Sequence, residues 1–144
     1  NVEYKGMDLN GNRYTLKSEK AEFVKEKPEI IYMDDVNAVF YFKDGTKLHV
    51  SSKRGIYNNK TNDIQFKKEV SSKYLDFFLI SENLDYFNSK NLLEVYGSVK
   101  GTSRKGAILA ENLKIDILNK TLDIKNKDNL IDVNIYKWKN LLEL

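Results

Sequence analysis

At 144 residues, 41% of them hydrophobic and 12% aromatic, the chain can bury one core but not two of ordinary size, so a single domain over 1–144 is expected. The absence of cysteine excludes disulfides, thiolate metal sites and cysteine nucleophiles. The formal charge of +3 is spread over single and paired basic residues, which gives no reason to expect nucleic acid.

The chain opens on an alternating run, Val2 and Tyr4, then Met7 and Leu9. It has neither a basic start nor an apolar segment in its first ten residues, and no apolar run reaches the 18 residues of a spanning helix. Either the protein is soluble as made or a targeting segment has been removed. Asn10-Gly11 and Asp44-Gly45 mark hairpin turns, a pairing suited to turns with positive φ at both central residues. Around them Tyr14 and Leu16, and then Leu48 and Val50, alternate with polar residues, and Val, Ile, Tyr and Phe are abundant. The expected class is all-β. Pro28 is the only proline and no Pro-, Gly- or Ser-rich stretch divides the chain, so no linker is expected. No helix longer than about two turns is expected, except near Trp138–Leu144.

Laying the chain on itself from Ser18, Ser52, Ser81 and Ala110 gives about four two-strand units. Two residues before each anchor stand Leu16, Val50, Leu79 and Ile108. Three after stand Ala21, Gly55, Leu84 and Leu113, and five after stand Phe23, Tyr57, Tyr86 and Ile115. The second strand of each unit carries Ile30, Ile64, Leu93 and Leu122, then Tyr32, Phe66, Val95 and Ile124, then Val36, Val70 and Val99, with Asp128 breaking the last column. Turn-forming residues separate the strands at Lys25–Pro28, Asn59–Asn62, Asn88–Asn91 and Asn119-Lys120.

The parity of these columns changes within the first strand of each unit, and the second strand carries an interrupted slot. Positions two before and three after an anchor can share a face only if the strand bends near the anchor, and Asp34, Lys68, Gly97 and Asn126 interrupt alternation on the second strand. Two strands kinked at fixed places are expected to curl a sheet into a sandwich or a partly closed roll.

The element Ser81, Leu84, Tyr86, Val95, Gly97, Val99 resembles the OstA-type repeat of lipopolysaccharide export proteins. The run Gly11-Asn12-Arg13-Tyr14-Thr15-Leu16-Lys17-Ser18, followed by Phe23, is similar to the opening of the LptC branch. The resemblance covers nearly the whole chain. It implies a β-jellyroll of two facing antiparallel sheets whose interior holds lipopolysaccharide acyl chains. The lining it implies is Leu16, Phe23, Tyr32, Val50, Tyr57, Phe66, Leu79, Leu84, Tyr86, Val95, Ile108, Ile115 and Ile124, with Lys53 and Asp85 facing outward. It also implies an N-terminal inner-membrane anchor outside this chain, a periplasmic location, and two protein partners: an inner-membrane ABC transporter and an LptA-like jellyroll. No cofactor and no enzyme activity are implied.

The remaining residues offer no competing chemistry. His49 lies between Leu48 and Val50, so it faces solvent, and with one histidine no triad or zinc site can be assembled. Asp34 and Asp35, as strand neighbours, would point to opposite faces, which does not suit paired acid–base work. Asn59-Lys60-Thr61 and Asn119-Lys120-Thr121 match the glycosylation sequon but stand where turns want them. Lys67, Lys68, Lys100 and Arg104 are surface cations that could also meet lipid phosphates at a rim. An unclosed roll leaves two edges: Val2 and Tyr4 at one, and Ile131, Val133 and Ile135 at the other, are expected to pair with a neighbouring jellyroll or a second copy. The alternative is a structural or adhesive β-repeat protein with a filled core and no ligand.

Overall fold

The structure, a computed structural model, describes residues 1–8, 10–104, 106–125 and 133–137. Ten strands follow one another there: β1 Val2–Met7, β2 Arg13–Glu22, β3 Ile30–Tyr41, β4 Lys47–Asn58, β5 Asp63–Tyr74, β6 Phe77–Phe87, β7 Leu92–Ser103, β8 Gly106–Asp116, β9 Thr121–Lys125 and β10 Val133–Lys137. All pair antiparallel with their sequence neighbours in one sheet ordered β1 to β10. No pairing among the described residues joins β10 to β1, so the sheet is open. Asn126, Ile131 and the Trp138–Leu144 segment lie outside the described residues.

Strands β3 to β8 are 11 or 12 residues long, and each is bent near its middle. The bends fall where alternation fails in the sequence. Asp35 in β3 has φ 52°, Lys68 and Glu69 in β5 have φ 69° and 52°, and Gly97 and Ser98 in β7 have φ 86° and 47°. The pairing register slips by one residue at the same level in β4–β5, β5–β6, β6–β7 and β7–β8. Left-handed backbone at Lys68, Glu69 and Ser98 is unfavourable for residues with a Cβ, and the packing across the bend holds it. At Gly97 a Cβ would stand 2.8 Å from Cβ of Glu82, so this corner accepts only glycine.

The line of bends is a crease that divides the sheet into two leaves. The first leaf runs from the crease toward the β1–β2, β3–β4, β5–β6 and β7–β8 hairpins, and the second toward the β2–β3, β4–β5, β6–β7 and β8–β9 turns. Rings of the first leaf meet rings of the second: Tyr14 lies 6.3 Å from Tyr57 and Phe40 lies 4.7 Å from Tyr86, centroid to centroid. The leaves therefore face each other over one shared core, a jellyroll-like arrangement made by folding one sheet.

Two local readings are corrected. At the Asp44-Gly45 turn only the glycine takes positive φ, at 89°. Phe42 C=O accepts from Gly45 N–H, and Phe42 N–H donates to Thr46 C=O, the three-residue hairpin with a glycine bulge. Asp34 and Asp35 both stand on the outer side, because the bend at Asp35 cancels the expected alternation; Asp34 pairs with Arg54 at 3.4 Å.

The interleaf crevice and its rim

Inward side chains line both leaves because β2, β3, β4, β6 and β8 reverse parity at the crease, whereas β5 and β7 spend one residue more there and keep it. Of the proposed lining, Leu16, Val50, Tyr57, Phe66, Leu79, Leu84, Tyr86, Val95, Ile115 and Ile124 are buried, and Ile108 is partly buried against them. Phe23 and Tyr32 are not inside: they are 59% and 46% exposed. β2 ends at Glu22, which leaves Phe23 in the loop to β3. Tyr32 faces out because β3 crosses the crease in three residues, from Met33 to Val36, whereas β5 and β7 take four, from Phe66 to Val70 and from Val95 to Val99. One residue fewer reverses the parity, so Ile31 and Met33 take the inward sites. Asp85, expected outward and exposed, lies on the outer side but is 7% exposed, under Tyr96, whose hydroxyl donates to it at 3.0 Å. Burial raises its carboxyl above the usual range. His49 is exposed, as expected.

The interior has two unlike parts. Toward β1, six rings from both leaves, Tyr4, Tyr14, Phe40, Tyr57, Phe66 and Tyr86, contact one another in a continuous chain. The Tyr14 and Tyr57 hydroxyls share a hydrogen bond at 3.0 Å, Tyr57 donates to Asn62, and the Asn88 amide donates to the Tyr86 hydroxyl at 2.9 Å. Burial, the largest cause for each, pushes the Tyr14 and Tyr86 hydroxyls far above the ordinary tyrosine range, so both stay neutral donors.

Toward β9 the lining becomes aliphatic. Leu48 and Leu79 of the first leaf face Leu84, Leu93, Val95, Leu113, Ile115 and Leu122 of the second, with Tyr74 and Phe77 at the mouth. A crevice of about 20 Å³ remains between them. That is room for one water-sized body and far less than an acyl chain needs.

Across the mouth runs one ion pair. Lys120, in the β8–β9 turn of the second leaf, meets Asp44, in the β3–β4 hairpin of the first, at 2.5 Å. The Lys120 bond, aided by the Thr46 hydroxyl, holds the Asp44 carboxyl down to about 2, and the same bond raises the Lys120 ammonium. Tyr74 donates to Thr46 beside them at 3.0 Å. Both partners are partly open to water, at 51% and 35% side-chain exposure, so the pair is a weak tie.

Leu93, Leu113 and Leu122 belong to the repeat columns, and Leu48 extends the alternation of Val50. They were thus legible as inward residues, although the proposed lining does not include them. The Asp44–Lys120 tie spans 76 residues between two turns and has no local signal. Of the proposed edge residues, Val2 and Tyr4 lie in β1 and Val133 and Ile135 in β10, the two edges of the described sheet; Ile131 lies outside the described residues. Tyr4 is half-buried, its ring 5.3 Å from Tyr57, so it also contributes to the core.

The chain is similar to an uncharacterized protein of Rickettsia prowazekii (strain Madrid E), with 24% identity over 136 residues. That match takes in 92% of this chain and 66% of the Rickettsia protein, so the chain spans a little under two thirds of its relative. The profile of the lipopolysaccharide-assembly, LptC-related family matches residues 1–128, the entire folded sheet up to the end of β9. An open all-β roll with an apolar interior and a match over most of its length identify this chain as a member of the LptC-related lipopolysaccharide-assembly family.

Proposed function

We propose that this chain is a periplasmic jellyroll, held at the inner membrane, that shields lipopolysaccharide acyl chains between its leaves. In this reading it receives the lipid from an ABC transporter and passes it to an LptA-like jellyroll. The observation that carries it is the aliphatic crevice: two apolar walls from opposite leaves, tied at the mouth by one solvent-open ion pair. Parting the leaves exposes apolar surface that an acyl chain then covers. At about 0.8 kcal/mol per buried CH₂, part of one chain supplies several kcal/mol. A groove binds equally in either direction, so direction comes from the ATP-driven transporter.

Photo-crosslinkers at Val95, Leu113 or Ile115 should capture lipopolysaccharide, whereas one at exposed Lys53 should not. Equal labelling at both sets would mean surface adsorption and would defeat the internal site. The small volume of the crevice favours a second reading, a filled core with no ligand. Native mass spectrometry of the purified protein separates them, since only a carrier retains bound lipid.

The handover is proposed to run through the free edge of β10, which pairs only with β9 among the described strands. Val133→Pro should then abolish capture of the downstream jellyroll and leave lipid binding nearly intact; unchanged capture would sink edge pairing. The same edge would serve self-association.

A further inference from the structure

The outer faces of the two leaves carry opposite charge. Outward strand residues of the first leaf include Lys5, Arg13, Lys17, Lys47, Lys73 and Lys100, set against Glu3 at the β1 edge and against Glu19, Glu82 and Glu111 where β2, β6 and β8 enter the crease. None of the six cations is in an ion pair among the described residues. Large apolar side chains stand exposed among them: Tyr41, Phe78, Ile80 and Leu109, the last 71% open. The pairing register interleaves the two types. Ile80, Lys100 and Leu109 lie side by side across β6, β7 and β8, and Lys73 lies beside Phe78. Lys47 holds its ammonium 5.5 Å from the centre of the Tyr41 ring.

The outer face of the second leaf has the reverse character. Five Lys or Arg residues stand among seven carboxylates, alternating across strands as in Glu94, Lys114 and Asp123. Tyr32 is the one large apolar residue widely exposed on its described strands.

We infer that the outer face of the first leaf docks on an anionic phospholipid bilayer. A face on which cations outnumber carboxylates is drawn to negative headgroups. Exposed apolar side chains between the cations then find the apolar layer just beneath the phosphates, and the lysine stems allow their ammonium groups to stay at phosphate level. A protein partner would instead have to present carboxylates and apolar pockets in alternation at the spacing of neighbouring strands; the headgroup layer supplies both everywhere. This orientation would lay the roll on its first leaf and turn the second leaf to the solvent. The inference stands whether or not the crevice takes lipid.

The test is flotation of the 144-residue chain with vesicles of equal parts phosphatidylcholine and phosphatidylglycerol, and with phosphatidylcholine alone. Wild type should float with the mixed vesicles only, and added salt should release it. Lys73→Glu with Lys100→Glu should weaken binding roughly tenfold or more. Phe78→Ser with Ile80→Ser should weaken it several-fold while salt release persists. Lys67→Glu with Lys114→Glu, the same charge change on the second leaf, should leave binding within about twofold, since these charges face away from the bilayer. Failure of wild type to float would overturn the inference and leave the face to an acidic protein partner or to solvent. Equal losses from the two charge-reversal pairs would also overturn it, because net charge and not this face would then govern binding.

Discussion

The β1 side and the β9 side of the interior grow from the same repeat, yet they are held together by different forces. On the β1 side, rings from both leaves interlock and their hydroxyls bond to one another and to Asn62 and Asn88. Separating the leaves there breaks directed contacts and strands buried polar atoms. On the β9 side the leaves meet through leucine, isoleucine and valine side chains, which an acyl chain can replace like for like. The same inward register thus makes a pin at one end and a seam at the other. In the proposed function, a roll pinned on one side and seamed on the other would open like a clasp, at the side where the Asp44–Lys120 tie sits.

The largest effect should come from the pin. Phe66→Ala removes a fully buried ring and should cost about 3–5 kcal/mol, a fall in melting midpoint of roughly 10 °C or more by calorimetry. Next comes the seam. Leu93→Trp overfills a site that is 1% exposed, and about 1–3 kcal/mol of destabilisation is expected, together with loss of lipopolysaccharide uptake in a binding assay. Uptake that survives this change would place the lipid elsewhere.

Smaller again is Tyr14→Phe. It leaves the ring in place and deletes one buried hydroxyl bond, so chemical denaturation should show a loss of about 1 kcal/mol, with lipid uptake unchanged. The smallest effect on stability belongs to the tie. Asp44→Asn should cost no more than about 0.5 kcal/mol, yet it should speed lipid uptake, because it loosens the mouth and not the pin. The pH dependence follows the same pair. The folded Asp44 pKa lies below its unfolded value, so its contribution is present above about pH 4 and is lost as pH falls toward about 2. Wild type and Asp44→Asn should therefore converge in stability over that interval.

The repeat made the inside of the roll legible because burial follows a two-residue period that only the crease resets. Ser18, Ser52, Ser81 and Ala110 are all buried beside the crease, and Val36, Val70 and Val99 lie on its far side. The period misled where a bend differed in length. One residue fewer in β3 turned Tyr32 outward, and nothing in the local sequence states how many residues a bend will use. Phe23 was lost for a related reason: the loop after Glu22 ends the strand before the fifth position of the unit. Asp85 shows a second limit. Alternation gave its side correctly but not its cover, since Tyr96 reaches it from the neighbouring strand. The tie across the mouth was invisible for a third reason, as Asp44 and Lys120 become neighbours only when the leaves fold over.

The central claim, that lipid enters by parting the leaves at the aliphatic end, can be read as one distance. The chain has no cysteine, so Lys43→Cys with Leu118→Cys places two spin labels on exposed turns of opposite leaves, beside the tie and without altering it. Dipolar spectroscopy before and after stoichiometric lipopolysaccharide should show the separation lengthen, while a pair of labels at the β1 side stays fixed. Tight binding of lipopolysaccharide with both distances unchanged would contradict the account.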